Sequence, residues 1–370
     1  MLARPSRRHL IMGAVAYAHY GMLPRAPLRA ATFSGDESRN PWSGIDGHLD
    51  APTGIVQHPT LLNRYPSASA PNARTLWPSN GAQPPWMVAG VDYYVGVSMN
   101  ESLQDASMAP LPVGWSRDST TRIITVSGSN GVIRNWDFSR GGGYRLQVHD
   151  DGCTVTNCKF AGASKDGFQP LLFQVNRGNA PHGTLGQTVI NCTFDGAGGD
   201  SSLFPGLISQ DGRDANLTVM HSDIRNADSD AISAGGGNTV IKYNLIEVLG
   251  NGKDSHPDGL QNTGKDNAWA LEFNTLYEPI NSTQGFIIAD HPFIGDSTVR
   301  YNTFIGKAGS YFVGAQTTCS GLLTISKNYA DVQSGGFAYP GSVKRAGGSS
   351  HCVFFANMNL TDGSAFSNNP

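Results

Sequence analysis

The stretch Lys253-Asp254-Ser255-His256-Pro257-Asp258-Gly259-Leu260-Gln261 is the densest run of chemically capable side chains in the sequence. His256 titrates near neutrality and can accept or donate a proton there. Lys253 can balance a developing carboxylate charge, and Asp254 and Gln261 can hydrogen-bond the hydroxyls of a ligand. Asp258 opens the phrase Asp258-Gly259-Leu260-Gln261, and Asp230 opens an equivalent one, Asp230-Ala231-Ile232-Ser233. If the two phrases stack as neighbouring strands, their α-carbons lie about 4.8 Å apart. Two carboxylates that close share a proton, bind a cation or carry raised pKa values. Asp228 stands just before Asp230, and Asp290-His291 follow one phrase later, so three neighbouring repeats supply acids and two histidines. The competing reading is that Asp before Gly simply suits a turn; it is the better one for Asp166 in Asp166-Gly167-Phe168-Gln169.

A repeat must position these residues. From about residue 120 the chain restates one phrase: a short β-branched run, a small or amide residue, one residue more, then a large apolar residue. Copies include Val155-Thr156-Asn157-Cys158-Lys159-Phe160, Val189-Ile190-Asn191-Cys192-Thr193-Phe194, Leu271-Glu272-Phe273-Asn274-Thr275-Leu276 and Val299-Arg300-Tyr301-Asn302-Thr303-Phe304. An approximate period with variable insertions marks a solenoid. The runs are strand-like, separated by Gly, Asn and Asp turns, with almost no amphipathic helical stretch. Repeats too small to bury their own apolar face must stack on their neighbours. Two residues before each closing apolar residue stand Cys158, Cys192, Ser222, Asn244, Asn274 and Asn302. Stacked inward at a turn, the Asn amides can hydrogen-bond up the stack, and Cys or Ser is small enough to continue it. The second phrase recurs as Gln284-Gly285-Phe286-Ile287 and Ser310-Tyr311-Phe312-Val313, polar at its first position and apolar at its third.

This asparagine column resembles the right-handed parallel β-helix of the pectate-lyase-like superfamily over roughly residues 115 to 335. The fold class expected is therefore all-β, a right-handed parallel β-helix solenoid with an irregular N-terminal cap. Trp86-Met87-Val88-Ala89-Gly90-Val91-Asp92-Tyr93 and His256-Pro257-Asp258 are also similar to segments of exported bacterial β-helix proteins. The resemblance implies carbohydrate chemistry on an acidic polysaccharide. In lyases of this kind a cation bound by carboxylates neutralises a uronate while a base takes the C5 proton. That assigns His256, Lys253 and Asp258 to catalysis, Gln261, Asp290, His291 and Asp254 to substrate, and Asp230, Asp258 and Asp228 to Ca²⁺, an ion that prefers oxygen ligands. The order His256-Pro257-Asp258 is similar to the Asp-Pro-His signature of alginate epimerases, but rearranged, so no roles transfer from it. A glycoside hydrolase, a uronate C5-epimerase and a non-catalytic glycan-binding or surface solenoid are the alternatives. Asp150-Asp151 are adjacent acids without the Gly-His-Gly of polygalacturonases.

Composition agrees with a turn-rich solenoid. Only 15% of the 370 residues are charged, against about 25% in ordinary globular proteins, and there are 45 glycines. A net charge of −3 leaves no basic excess to neutralise phosphates, which argues against nucleic acid as a partner. Residues 1–30 read as an export signal: Arg4, Arg7 and Arg8 precede a mainly apolar run, and Ser6-Arg7-Arg8-His9-Leu10-Ile11 resembles the twin-arginine type. The expected location is periplasmic or extracellular, with no membrane span in the mature chain and a monomeric state. Residues 31–114 are read as an extended lead-in and N-terminal cap, and 115–370 as the β-helix with its C-terminal cap. Pro84-Pro85-Trp86-Met87-Val88-Ala89-Gly90-Val91-Asp92-Tyr93-Tyr94 is expected to cover the open first coil, which would otherwise expose strand edges. Of the five cysteines, Cys319 and Cys352 are placed to clip the C-terminal segment.

Overall fold

The computed structural model describes residues 84–98, 101–128, 131–161, 169–177, 180–182, 186–196, 206–210, 216–249, 257–262, 268–288, 295–315, 321–339 and 352–366. Among them every regular element is a strand, and none is a helix long and apolar enough to cross a membrane. The all-β solenoid expected from the repeat is present. Each coil contributes a strand to a nine-stranded parallel sheet, turns sharply, and contributes one or two strands to a second, larger sheet. One coil reads Leu217–Met220, Asp223–Ala227 and Ile232–Ala234; the next reads Asn238–Lys242, Leu245–Val248 and Asp258–Asn262.

Period-two alternation sends every second side chain inward, and the parallel register aligns those side chains into columns. Val155, Val189, Val219, Ile241, Leu271, Val299, Ile325 and Phe354 stack in one. Phe160, Phe194, Ile224, Ile246, Leu276, Phe304 and Ala330 stack in a second. Leu146, Leu171, Ile208, Ile232, Leu260, Phe286, Val313 and Ala338 form the third. Except for the partly exposed Phe354, all are buried and belong to one continuous core.

The sharp turn between the sheets is made by one residue per coil in the left-handed region. Asn135, Asn157, Asn191, His221, Tyr243, Phe273, Tyr301, Lys327 and Ala356 have φ between 49° and 62°. That conformation is costly for bulky side chains, so the turn needs compensation, and from Asn157 onward the residue after each one supplies it. Asn274 accepts the Asn244 backbone N–H at 3.1 Å and the Asn244 amide at 3.0 Å, then donates its own amide to Asn302 at 3.0 Å and to the Ile241 carbonyl at 2.8 Å. The column continues through Asn302 and Asn328 to Asn357, all fully buried. At its other end Ser222 and Cys192 prolong it, with the Ser222 hydroxyl accepting the Cys192 backbone N–H at 3.2 Å. Cys158 and Cys192 are therefore small buried ladder residues with their thiols on carbonyl oxygens, and burial pushes the Cys158 thiol well above its usual pKa. Cys319, and with it the expected clip to Cys352, lies outside the described residues.

One expectation changes. Pro84–Ser98 does not sit on the first coil; it forms a strap along the flank, over the left-handed turn column. Trp86 stands edge-on against Phe273, Tyr301 and Tyr329 at 6.3, 5.5 and 5.2 Å. Ala89 accepts a hydrogen bond from the Thr275 hydroxyl, the Gly96 N–H donates to the His221 carbonyl, and the Ser98 N–H donates to Asn157 Oδ1. The cause lies in the turn: a left-handed bend throws the side chains of His221, Tyr243, Phe273 and Tyr301 outward as a stack of rings about 5 Å apart. That apolar stripe needs covering more than the first coil does. The first coil is closed instead by Gln104–Asp105 beside Trp136-Asp137 and by the antiparallel pair Trp115–Asp118 and Ile123–Val126.

Candidate functional site

Asp230 and Asp258 stack on consecutive coils as expected, but they face the solenoid's interior structure. They are 3% and 1% exposed. The Asp258 N–H donates to Asp230 Oδ1 at 3.1 Å, and the Gln284 N–H donates to Asp258 Oδ1 at 2.8 Å. The two acids thus open a second ladder, in which each carboxylate holds the backbone of the following coil. The register also redraws that column. The position two residues before the paired Leu171 and Ile208 belongs to Gln169 and Gly206, Asp166 lies outside the described residues, and Tyr311 rather than Ser310 pairs with Gln284.

Asp228 is partly exposed, and Gln261 is half-buried between Ser233 and Ile287 on adjacent coils. Lys253, Asp254, His256, Asp290 and His291 lie outside the described residues. One oxygen each of Asp230 and Asp258 is taken by a backbone N–H, and among the described residues no three His, Cys, Asp or Glu side chains stand close enough to hold a metal ion.

A different group of acid–base side chains converges on the flank, where Thr193–Asp195, Asp223–Ala227, Leu245–Val248 and the start of Thr275–Ile288 stack in order. In each strand the residue after the inward closing apolar side chain points outward: Asp195, Arg225, Glu247 and Tyr277. A bulge between Ile224 and Ala227, with Asn226 at φ 55°, re-aims Arg225 and Asn226. Asn226 then donates its amide to Asp195 Oδ1 at 2.7 Å. Gly196 makes room for it, since a Cβ there would lie 2.2 Å from the Asn226 carbonyl oxygen. Arg225 Nε bonds Asp223 Oδ1 at 2.6 Å, with side chains 25% and 6% exposed.

Burial is the main force on these groups. It lifts the Asp223 carboxyl to about 6 despite the Arg225 contact, helped by the charges of Glu247 and Asp195. Glu247 is raised for the same reason, partly opposed by Arg225 and by the Asn226 N–H. Burial works against the charge of Arg225, yet Asp223 and Glu247 hold its pKa above the ordinary value. Two phenols complete the ring. Tyr94, from the strap, is raised by burial and by Asp223 while hydrogen-bonded to Thr193, and Tyr277 is raised by burial and by Glu247.

One guanidinium ringed by three carboxyls, of which Asp223 and Glu247 have raised titrations, can exchange protons with a ligand on the partly open surface. Sequence reading missed this site because the phrases were compared by their inward residues. The available signal was the outward position of three consecutive copies, Phe194-Asp195, Ile224-Arg225 and Ile246-Glu247, each charged in a chain with few charges. No protein-family model, no curated protein and no solved structure matches the chain.

Proposed function

We propose that the chain is an exported, carbohydrate-active solenoid of the pectate-lyase-like kind that cleaves a polysaccharide lying across its coils. Hydrolysis at the flank cluster is the reading the geometry supports best. The observation that carries it is the stacking of Asp195, Arg225 and Glu247 on three successive coils, with the titration of Glu247 raised by burial. A carboxyl whose titration is raised by burial can donate a proton to a leaving oxygen while a second carboxylate activates water. In this reading Glu247 is the acid, Asp195 the base, and Asp223 orients Arg225. Two coils of the strand repeat put the Asp195 and Glu247 backbones roughly 9.6 Å apart, nearer the ~6.5–9.5 Å carboxyl spacing of inverting enzymes than the ~5 Å of retaining ones. One Arg against three acids also disfavours a polyuronate there, so a neutral glycan is the better substrate for this cluster.

β-Elimination at a uronate is the second reading, and a separate observation favours it. The segment carrying Lys253 and His256 ends on Pro257 and Asp258, which are buried, and Asp258 is hydrogen-bonded to both adjacent coils. His256 directly precedes these two buried residues in the sequence. One assay separates the readings: mature protein incubated with neutral and acidic polysaccharides, followed by reducing-end release and by absorbance at 235 nm. Reducing ends without absorbance, with inverted anomeric configuration by NMR and at least a hundredfold loss in Glu247→Gln and Asp195→Asn, are expected. Absorbance that survives both substitutions but is lost in His256→Ala would transfer the activity to the second reading. Binding without any product would leave a glycan-binding solenoid.

A further inference from the structure

Tyr94 is the one member of the flank cluster that no coil supplies. It belongs to the strap, and the strap is fixed on both sides of it. Upstream, Ala89 takes the Thr275 hydroxyl at 2.7 Å. Downstream, the Gly96 N–H reaches the His221 carbonyl at 2.8 Å and the Val97 N–H reaches Thr193 Oγ1 at 3.0 Å. Gly96 itself lies so close to the coils that a Cβ there would be 2.6 Å from Thr193 Oγ1 and 2.9 Å from Asp223 Cβ. The strap backbone is therefore pressed against the strands that carry Asp195, Asp223 and Arg225. Val95 beside it is buried with Leu245, whereas Tyr94 stays partly exposed at the cluster.

We propose that the strap completes the site: Tyr94 is a substrate-contacting residue that binds a hexopyranosyl unit of the polysaccharide, its ring giving a stacking face and its hydroxyl an edge contact to a sugar hydroxyl. Tyr277 stands on the opposite side of Glu247's strand, one coil on, so the cluster lies between two phenols. Aromatic rings with a polar tip suit a ligand that has one apolar face and a hydroxylated rim. The inference rests on the reading of the flank cluster as the cleavage site, and it assigns the specificity of that site to a segment far from it in sequence.

The test uses the full mature chain, Tyr94→Phe and Tyr94→Ala. Calorimetry would measure binding of hexasaccharides of β-1,4-linked glucose, xylose, mannose and galacturonate, with kcat, KM and Tm measured on the polysaccharide that is cleaved. Tyr94→Phe should raise KM and Kd three- to tenfold for the preferred neutral hexasaccharide, with kcat and Tm unchanged. Tyr94→Ala should weaken binding at least thirtyfold, and its Tm reads separately how much strap packing is lost with the ring and its Thr193 hydrogen bond. Unchanged Kd in Tyr94→Ala would overturn the inference, as would failure of the wild-type chain to bind any of the four. A wild-type chain that cleaves nothing but binds a hexasaccharide in a Tyr94-dependent way would remove the hydrolase reading and leave the strap's role standing.

Discussion

At the scale of single residues, Asp223 shows how this fold displaces a titration and what that costs. Its carboxyl is buried beneath the strap and pushed to about 6, although Arg225 is bonded to it. Burial therefore outweighs the ion pair. In the unfolded chain the group titrates near its ordinary value of 3.8. Between pH 4 and 6 the native state then holds more protons at this site than the unfolded state, so stability from this group falls as pH rises through that window and stays lower above it. A displacement of roughly two units corresponds to about 3 kcal/mol. Replacing Asp223 by Asn removes the titration while keeping the shape. The difference in unfolding free energy, Asp223→Asn minus wild type, should accordingly rise by about 2 kcal/mol from pH 4 to pH 6.5 in urea titrations, most of the change available across the whole window. A flat difference would show that Arg225 fully compensates the burial.

At the scale of the coil, the two ladders explain how turns with bulky residues at positive φ are tolerated. The asparagine ladder runs from Ser222 to Asn357, each amide bonding the next coil. Asn274 is in mid-column. Its loss would strand the Asn244 N–H, the Ile241 carbonyl and one lone pair of Asn302, so Asn274→Ala should cost about 3–5 kcal/mol by the penalty for unpaired buried groups. Asn357→Ala, whose side chain makes three of the corresponding four hydrogen bonds and lacks the one to a further coil, should cost about three quarters of that. Equal losses in thermal or urea unfolding would mean that the ladder acts as one unit instead of rung by rung. This column was legible in the sequence because its chemistry repeats: Asn244, Asn274 and Asn302 precede large closing residues at constant spacing. It was read short because Asn328 closes on the small Ala330, and the apolar marker fails there although the register does not. The Asp230–Asp258 pair was equally visible as a stack. Its direction was not, since sequence alone does not tell whether a carboxylate at a strand start turns to solvent or accepts the next coil's N–H.

For the whole molecule the informative element is the strap, and it was the least legible part. A solenoid is quasi-one-dimensional: each coil touches its neighbours, local contacts dominate, and unfolding can begin at any weak coil. Pro84–Ser98 breaks that rule by joining coils that are not adjacent, from Asn157 at one end to Tyr329 at the other. Its partners share no periodic phrase with it, so no repeat comparison finds them; the only hint is an apolar run that had to be buried somewhere. Physically, the left-handed turns create the surface and the strap covers it. Trp86 is the anchor, 6% exposed with three ring contacts, so Trp86→Ala should lower stability by about 3–5 kcal/mol as large aromatic truncations do. The more telling consequence concerns cooperativity. With the strap loosened, the coils around Phe160 and those around Phe304 lose their only direct link among the described residues other than coil-to-coil stacking. Urea unfolding followed by tryptophan fluorescence and by circular dichroism should coincide in the wild-type chain and separate in Trp86→Ala, with a smaller apparent m-value. Coincident transitions in the variant would show that the stacked columns alone make the solenoid fold as one unit, and the strap would then serve only to carry Tyr94 to the flank cluster.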